Sequence, residues 1–318
     1  MKKRQKDKIV VKKAKWGVYL RRYWTLYLLL LLPMTYFVIF KYIPMSYIQI
    51  AFKKYSLVES VWDMEWAGNH GFEYFIKAFQ KQDFINALRN TVTLNLLDLV
   101  VGFPAPIILA LILNELVFKR FKKVVQTVVY MPHFLSMIIV CGILQDVLSV
   151  EHGIINDILV GLHIFKEPLN FFSVPKLFWW IVGFTNVWKE TGWNSIIYLS
   201  AITSINPDLY EAASIDGAGR LKKMFHITLP GIKPTIFILL LINIGNVLNA
   251  GFEIQYLLSN AMIVKVSQTI DIYVLKFGIN NCDFSLGTAA GIFRSLVSIL
   301  LIVIANAASK AAGEERLF

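Results

Sequence analysis

Asn206-Pro207-Asp208-Leu209-Tyr210-Glu211-Ala212-Ala213-Ser214-Ile215-Asp216-Gly217-Ala218-Gly219-Arg220, continuing to Ile227-Thr228-Leu229-Pro230 and Pro234, is a polar island between two long apolar runs. Asn206 is suited to cap a helix whose first position is Pro207, and Asp208 and Glu211 complement its positive N-terminal end. Gly217 and Gly219 permit the left-handed backbone that stops it. A second short helix is expected from Arg220 to Ile227, with basic residues beside Leu221, Met224, Phe225 and Ile227, and Pro230 and Pro234 are expected to end it. The segment reads as a helix, a glycine elbow and a helix. Ala212 and Ala213 are small enough for another surface to approach the backbone. From these residues alone, a lever docking into a partner's groove and an ordinary interfacial loop both remain open.

Outward from this island the chain is strongly apolar. Of its 318 residues, 56% are hydrophobic and 17% charged, with a mean hydropathy of +0.57, which excludes a soluble enzyme, a disordered chain and a collagen-like one. Six runs approach the roughly 20 residues that cross a bilayer: 24–43, 91–113, 126–148, 178–202, 235–257 and 288–308. The net charge of +11 comes from basic residues flanking these runs, and it speaks against nucleic acid as the partner. Twenty lie before the first run, in 114–125, in 203–234 and after 308; nine lie in the alternate loops. The positive-inside rule therefore places both termini and the 203–234 loop in the cytoplasm. The expected partition is a basic tail with an interfacial helix at 1–23, a membrane domain at 24–308 and a cytoplasmic tail at 309–318.

Lys2, Lys3, Arg4 and Lys6 precede the first run as in a signal peptide, but no small-residue cleavage site follows, so an uncleaved first span is expected. Lys12 to Trp24 mixes basic and aromatic residues as a headgroup-layer helix would, with a solvated basic tail as the alternative. In the 44–90 loop, Phe72, Phe75, Ile76, Phe79 and Phe84 suggest an amphipathic helix, meeting either an external partner or the membrane surface. Gly102-Phe103-Pro104-Ala105-Pro106 is expected to kink or break the second span. Such a break either lines a cavity or is tolerated by neighbouring packing.

Polar residues inside apolar spans are expensive and usually face a cavity or another helix. Asn186, Lys189, Glu190, Trp193 and Asn194 fall at helical spacing in the fourth span, and Asn243, Asn246, Asn249 and Glu253 form a second stripe in the fifth. Either stripe could instead join helices by interhelical hydrogen bonds, with Lys189 and Glu190 paired to lower their insertion cost. Asp98 and Arg294 each fit an ion pair within the bundle, with partners unspecified, and are not assigned to a ligand. The sequence holds no phosphate-binding G-x-x-x-x-G-K-[ST], no H-E-x-x-H and no G-x-S-x-G, and its five histidines are scattered singly. Two cysteines, Cys141 and Cys282, suit neither a disulfide scaffold nor a metal site.

Glu211-Ala212-Ala213, three residues, Gly217, nine residues, Ile227, one residue and Leu229-Pro230 resemble the EAA loop of binding-protein-dependent ABC importer permeases, and Asp216 and Ala218 also fit. Phe40-Lys41-Tyr42-Ile43-Pro44-Met45, Gly102 to Ala110, Val124-Val125-Gln126-Thr127, Met131-Pro132-His133-Phe134 and the tail Gly313 to Phe318 are similar to the first permease of polysaccharide and complex-oligosaccharide importers. The resemblance implies an all-α polytopic membrane protein, a six-span type I importer bundle with a cytoplasmic EAA coupling helix, in a bacterial cell membrane. It implies a second homologous permease, two ATP-binding subunits and an external solute-binding protein that delivers an oligosaccharide. No cofactor is expected on this chain, since ATP and Mg belong to the ATPases, and no covalent chemistry is expected of it. Glu211, Ala212, Ala213, Asp216, Gly217, Ile227, Leu229 and Pro230 would couple to the ATPases. The two polar stripes would line the sugar path, with Trp188 or Trp193 as an aromatic platform. An ion-coupled secondary carrier would also explain six spans, but leaves the EAA spacing unexplained and shows no evident inverted repeat. A membrane-embedded glycan enzyme lacks an acid/base or metal constellation.

Overall fold

The computed structural model describes residues 16–311; the basic stretch before Trp16 and the tail Gly313–Phe318, on which part of the resemblance rests, lie outside them. Described residues are helical almost throughout and contain no strand, only an isolated bridge between Lys53 and Trp66. Two compact units divide the chain, Met1–Gln49 and Ile50–Phe318.

The first unit is one helix, Trp16–Phe37, continued through a π-turn at Val38–Tyr42 and Ile43–Met45. It bends at Tyr23 (φ −117°, ψ 18°), where the basic and aromatic stretch passes into the apolar run. Gly17–Phe52 is long and apolar enough to cross a membrane, as are Gln82–Glu115 and Phe284–Ala311. Two further spans are bent pairs, Lys119–Phe134 with Met137–Val147 at 100° and Arg220–Gly231 with Lys233–Gly245 at 57°. The remaining run, the fourth, is the 29-residue helix Pro175–Thr203, which at 1.5 Å per residue is roughly 43 Å long. Its polar residues keep it below the apolarity of the others.

Prolines act differently from the kink expected of them. Pro44, Pro104 and Pro230 each follow a residue whose amide reaches back five positions: Ile43 to Val38, Phe103 to Asp98 and Leu229 to Met224. A proline lacks its own donor and crowds the carbonyl four residues earlier. Widening the preceding turn to a π-turn relieves both defects. Gln82–Glu115 therefore continues as one 34-residue helix through Pro104 and Pro106. The sharp break lies in the third span instead, at extended Leu135 and Ser136 just after the 3-10 turn Met131–Phe134, where Ser136 accepts from the Ile139 amide and restarts the helix.

The fifth span is shorter than the apolar run implied. Its helix ends at Gly245; Asn246 is already out of it (φ −93°, ψ 6°), and after a turn through Gly251 (φ +79°) a separate helix covers Glu253–Leu258. In the outer loop the expected helix is Glu73–Gln80. Phe84 belongs to the next helix and is fully buried, with its ring edge-on to Phe79 and Tyr273. Arg294 of the last span forms an ion pair within the bundle, with Asp271 as its partner.

Candidate functional site

The helix Pro207–Ile215 begins as its sequence dictates: Asn206 Oδ1 accepts the Asp208 amide at 3.0 Å and Pro207 opens the first turn. It ends in a Schellman motif. The Ala218 amide reaches Ala213 O at 2.8 Å and the Gly217 amide reaches Ser214 O at 3.1 Å, with Gly217 at φ +74°. Gly219 does not share this geometry; at φ −70° and ψ 169° it is extended and caps the following helix. That helix runs through the π-turn Met224–Thr228 to Gly231, so Pro230 sits inside it and the bend falls at Ile232.

One side of this element is fastened and the other is bare. Thr228 is buried and shares a 2.9 Å hydrogen bond with Tyr210 Oη, which ties the two helices across the elbow. Ile205, Met224 and Leu229 pack against a buried cluster of Leu113, Tyr198, Ile202 and Ile232. Glu211, Ala212, Asp216, Gly217 and Pro230 are exposed, and Ala213, Ile227 and Leu229 are half-buried. Leu209 and Ile215 also stand exposed, Ile215 at 87%. An exposed apolar surface on a rigidly backed helix is suited to docking against a partner. Tyr210→Phe, which removes the cross-elbow bond, is expected to cost about 1 kcal/mol of local stability, read as faster proteolysis at the elbow in the purified protein.

The second element of the site is a cavity of about 210 Å³ between the second, fourth and fifth spans. Asp98, Asn186, Glu190, Asn194 and Asn243 supply its polar lining, beside Phe103 and Tyr198. Asn186, Glu190 and Asn194 recur every fourth residue and so lie above one another at intervals of roughly 6 Å. Such a row of amides and carboxylates beside aromatic rings suits the hydroxyls and apolar faces of a sugar.

The expected stripes divide. Lys189 is buried and donates to His133 O at 2.9 Å and Glu190 Oε1 at 3.0 Å, while Trp193 stacks on the His133 ring at 4.5 Å. Trp188 lines a separate apolar cavity with Val128 and Pro132. Neither tryptophan lines this cavity, whose aromatic residues are Phe103 and Tyr198. Of the expected fifth-span stripe, Asn243 lines the cavity, beside Leu239 of the same helix. Asn246, Asn249 and Glu253 lie beyond the helix end, so the second stripe does not exist as one helical face.

Residues 102–312 match the model of the binding-protein-dependent transport system inner membrane component family. The chain belongs to this family. It is 44% identical to Protein LplB of Bacillus subtilis (strain 168), over 95% of this chain and 94% of that one. It is 43% identical to the polygalacturonan/rhamnogalacturonan transport system permease protein YteP of the same organism, over 92% and 90%. Among solved structures it is similar, at 40% identity and a TM-score of 0.84 over 94% of this chain and 99% of the other, to a bacterial ABC transporter involved in the import of the acidic polysaccharide alginate. The fold is that of a type I importer permease, an inner-membrane protein.

Sequence reasoning left three cavity features of this permease unassigned. Asp98, Phe103 and Tyr198 line the cavity, and Gly102 makes room for the first of them: a Cβ there would lie 2.2 Å from Asp98 Oδ1. The four-residue spacing of Asp98 and Gly102 was the available signal.

Proposed function

We propose that this permease forms one side of the translocation path of an ATP-driven importer for an oligosaccharide or polysaccharide fragment. A second homologous permease completes the path, an external solute-binding protein delivers the sugar, and two cytoplasmic ATPase subunits holding ATP and Mg drive the cycle. The carrying observation is the docking face itself: Glu211-Ala212-Ala213 sits on a helix backed by the Tyr210 and Thr228 bond and by the buried cluster under Leu229. Force applied to that face passes into the fourth and fifth spans, which it joins and which line the polar cavity. Closure of the ATPases favours one of two arrangements of these spans through its differential binding to them. Both termini and the 203–234 loop lie in the cytoplasm in this reading, with 1–23 and 309–318 flanking the membrane domain. Hydrolysis occurs on the partners.

Support for the cargo comes from the amide, carboxylate and aromatic lining and from the carbohydrate named for YteP and for the alginate importer. Uptake of labelled oligosaccharide into vesicles carrying the complete assembly is expected to stop when the ATPase subunits are omitted with the proton gradient intact. Gradient-driven uptake by this chain alone would establish the carrier instead. Within the cavity, Asn243→Leu is expected to lower sugar uptake about fivefold, the loss of roughly one hydrogen bond. Asn246→Leu, outside the cavity, is expected to leave it within about twofold. Equal effects of the two changes in uptake kinetics would place the path elsewhere.

A further inference from the structure

His133 belongs to no motif of the coupling face and does not line the cavity, yet it holds the cavity's wall. It lies in the 3-10 turn Met131–Phe134, just before the 100° break of the third span. Its Nδ1 is 2.8 Å from Glu190 Oε2. Lys189 Nζ donates to the other oxygen, Glu190 Oε1, at 3.0 Å, and to His133 O at 2.9 Å. A carboxylate can only accept, so Nδ1 carries the proton. The His133 ring lies flat on Trp193, 4.5 Å between centres and 3° from parallel, and Phe134 closes edge-on at 5.5 Å. Below the break the two spans touch through backbone: Gly192 lies so close to Val129 O that a Cβ would fall 1.8 Å from it.

Glu190 has two jobs. It occupies the middle of the Asn186, Glu190 and Asn194 row, with one oxygen held by His133 of the third span and the other by Lys189 of its own helix, whose ammonium is itself bound to His133 O. A long carboxylate side chain left free would sample several rotamers and lose side-chain entropy on meeting a sugar. Held at two points, it keeps its remaining lone pairs aimed at the path and meets hydroxyl donors already oriented. The buried Lys189 ammonium balances its charge, which lowers the cost of keeping a carboxylate among apolar spans.

We propose that His133 is a positioning residue for sugar transport: from the break in the third span it orients Glu190 as the central hydrogen-bond acceptor of the path. This rests on the reading of the cavity as a sugar path and extends it to a residue outside the lining.

Two substitutions separate its contacts. His133→Phe keeps the stack on Trp193 and removes the donor; His133→Gln keeps an amide donor and removes the ring. Both are measured in the complete assembly in proteoliposomes, with the binding protein preloaded with the same labelled oligosaccharide, by uptake, basal ATP hydrolysis and thermal unfolding. Wild-type uptake that depends on ATP verifies the parent reading; its absence would sink that reading first. Given such uptake, His133→Phe is expected to transport about tenfold more slowly, with unfolding temperature and basal hydrolysis near wild type, whereas His133→Gln retains at least about half of the rate. Glu190→Gln in the His133→Phe background is expected to add little, because the same interaction is already lost. Equal transport by the Phe and Gln variants, or full additivity with Glu190→Gln, overturns the assignment. So does loss of uptake in step with loss of thermal stability.

Discussion

Gly217→Pro is expected to abolish uptake, by at least about a hundredfold, while the protein still inserts and its cavity keeps its shape. Gly217 stands at φ +74° and its amide donates to Ser214 O. Proline fixes φ near −65° and has no amide, so the Schellman turn cannot form, a conflict of roughly 3 kcal/mol or more at one position. Nothing lies within 4 Å of where a Cβ on Gly217 would be, so crowding plays no part. The change re-aims Ala218 and the helix that starts at Arg220 relative to Glu211 and Ala212. Hydrolysis by the assembled complex without stimulation by loaded binding protein, together with unchanged membrane yield, is the expected pattern. Retained uptake would show that the elbow does not transmit the stroke.

Gly192→Leu is expected to have the largest effect on folding. The α-carbon of Gly192 faces the carbonyl of Val129 so closely that a Cβ would meet backbone at 1.8 Å and 2.5 Å. No rotamer change can relieve that contact, because the obstacle is main chain. Separating the third and fourth spans there is expected to cost on the order of 3 kcal/mol or more and to strip Trp193 and Lys189 from the His133 turn. Gly142→Ala is the matched control, since its new methyl meets nothing within 4 Å in a helix interior. It is expected to be neutral or stabilising by up to about 1 kcal/mol. Unfolding temperature in detergent, read by size-exclusion recovery after heating, distinguishes the two.

Where the determinants were local, the sequence showed the structure. Asn206-Pro207 and Gly217 fix the ends of the coupling helix through hydrogen bonds within a few residues, and both ends stand where they were expected. Gly219 was over-read, because a second glycine permits a left-handed turn without requiring one, and here it caps the next helix in extended form. The row Asn186, Glu190 and Asn194 survived because its helix is unbroken from Pro175 to Thr203. The row through Asn246, Asn249 and Glu253 failed because spacing of three and four recurs in turns as well as helices. Gly245 and Gly251 marked the break, but the apolar residues around them masked it. Which oxygen of Glu190 meets His133, and which tryptophan faces which cavity, depend on the packing of spans distant in sequence, so no local pattern encodes them.

The central claim is that the face carrying Glu211 and Ala212 is covered by an ATPase subunit in the working assembly. The most direct measurement is maleimide labelling of Ala212→Cys in a Cys282→Ser background, which removes the exposed native thiol and leaves the buried Cys141. With the permeases alone, Cys at this exposed position is expected to label rapidly; with the ATPases assembled, labelling is expected to slow by at least about tenfold, as for a side chain shielded within an interface. Equal labelling in both preparations, with the ATPases demonstrably bound, contradicts the account.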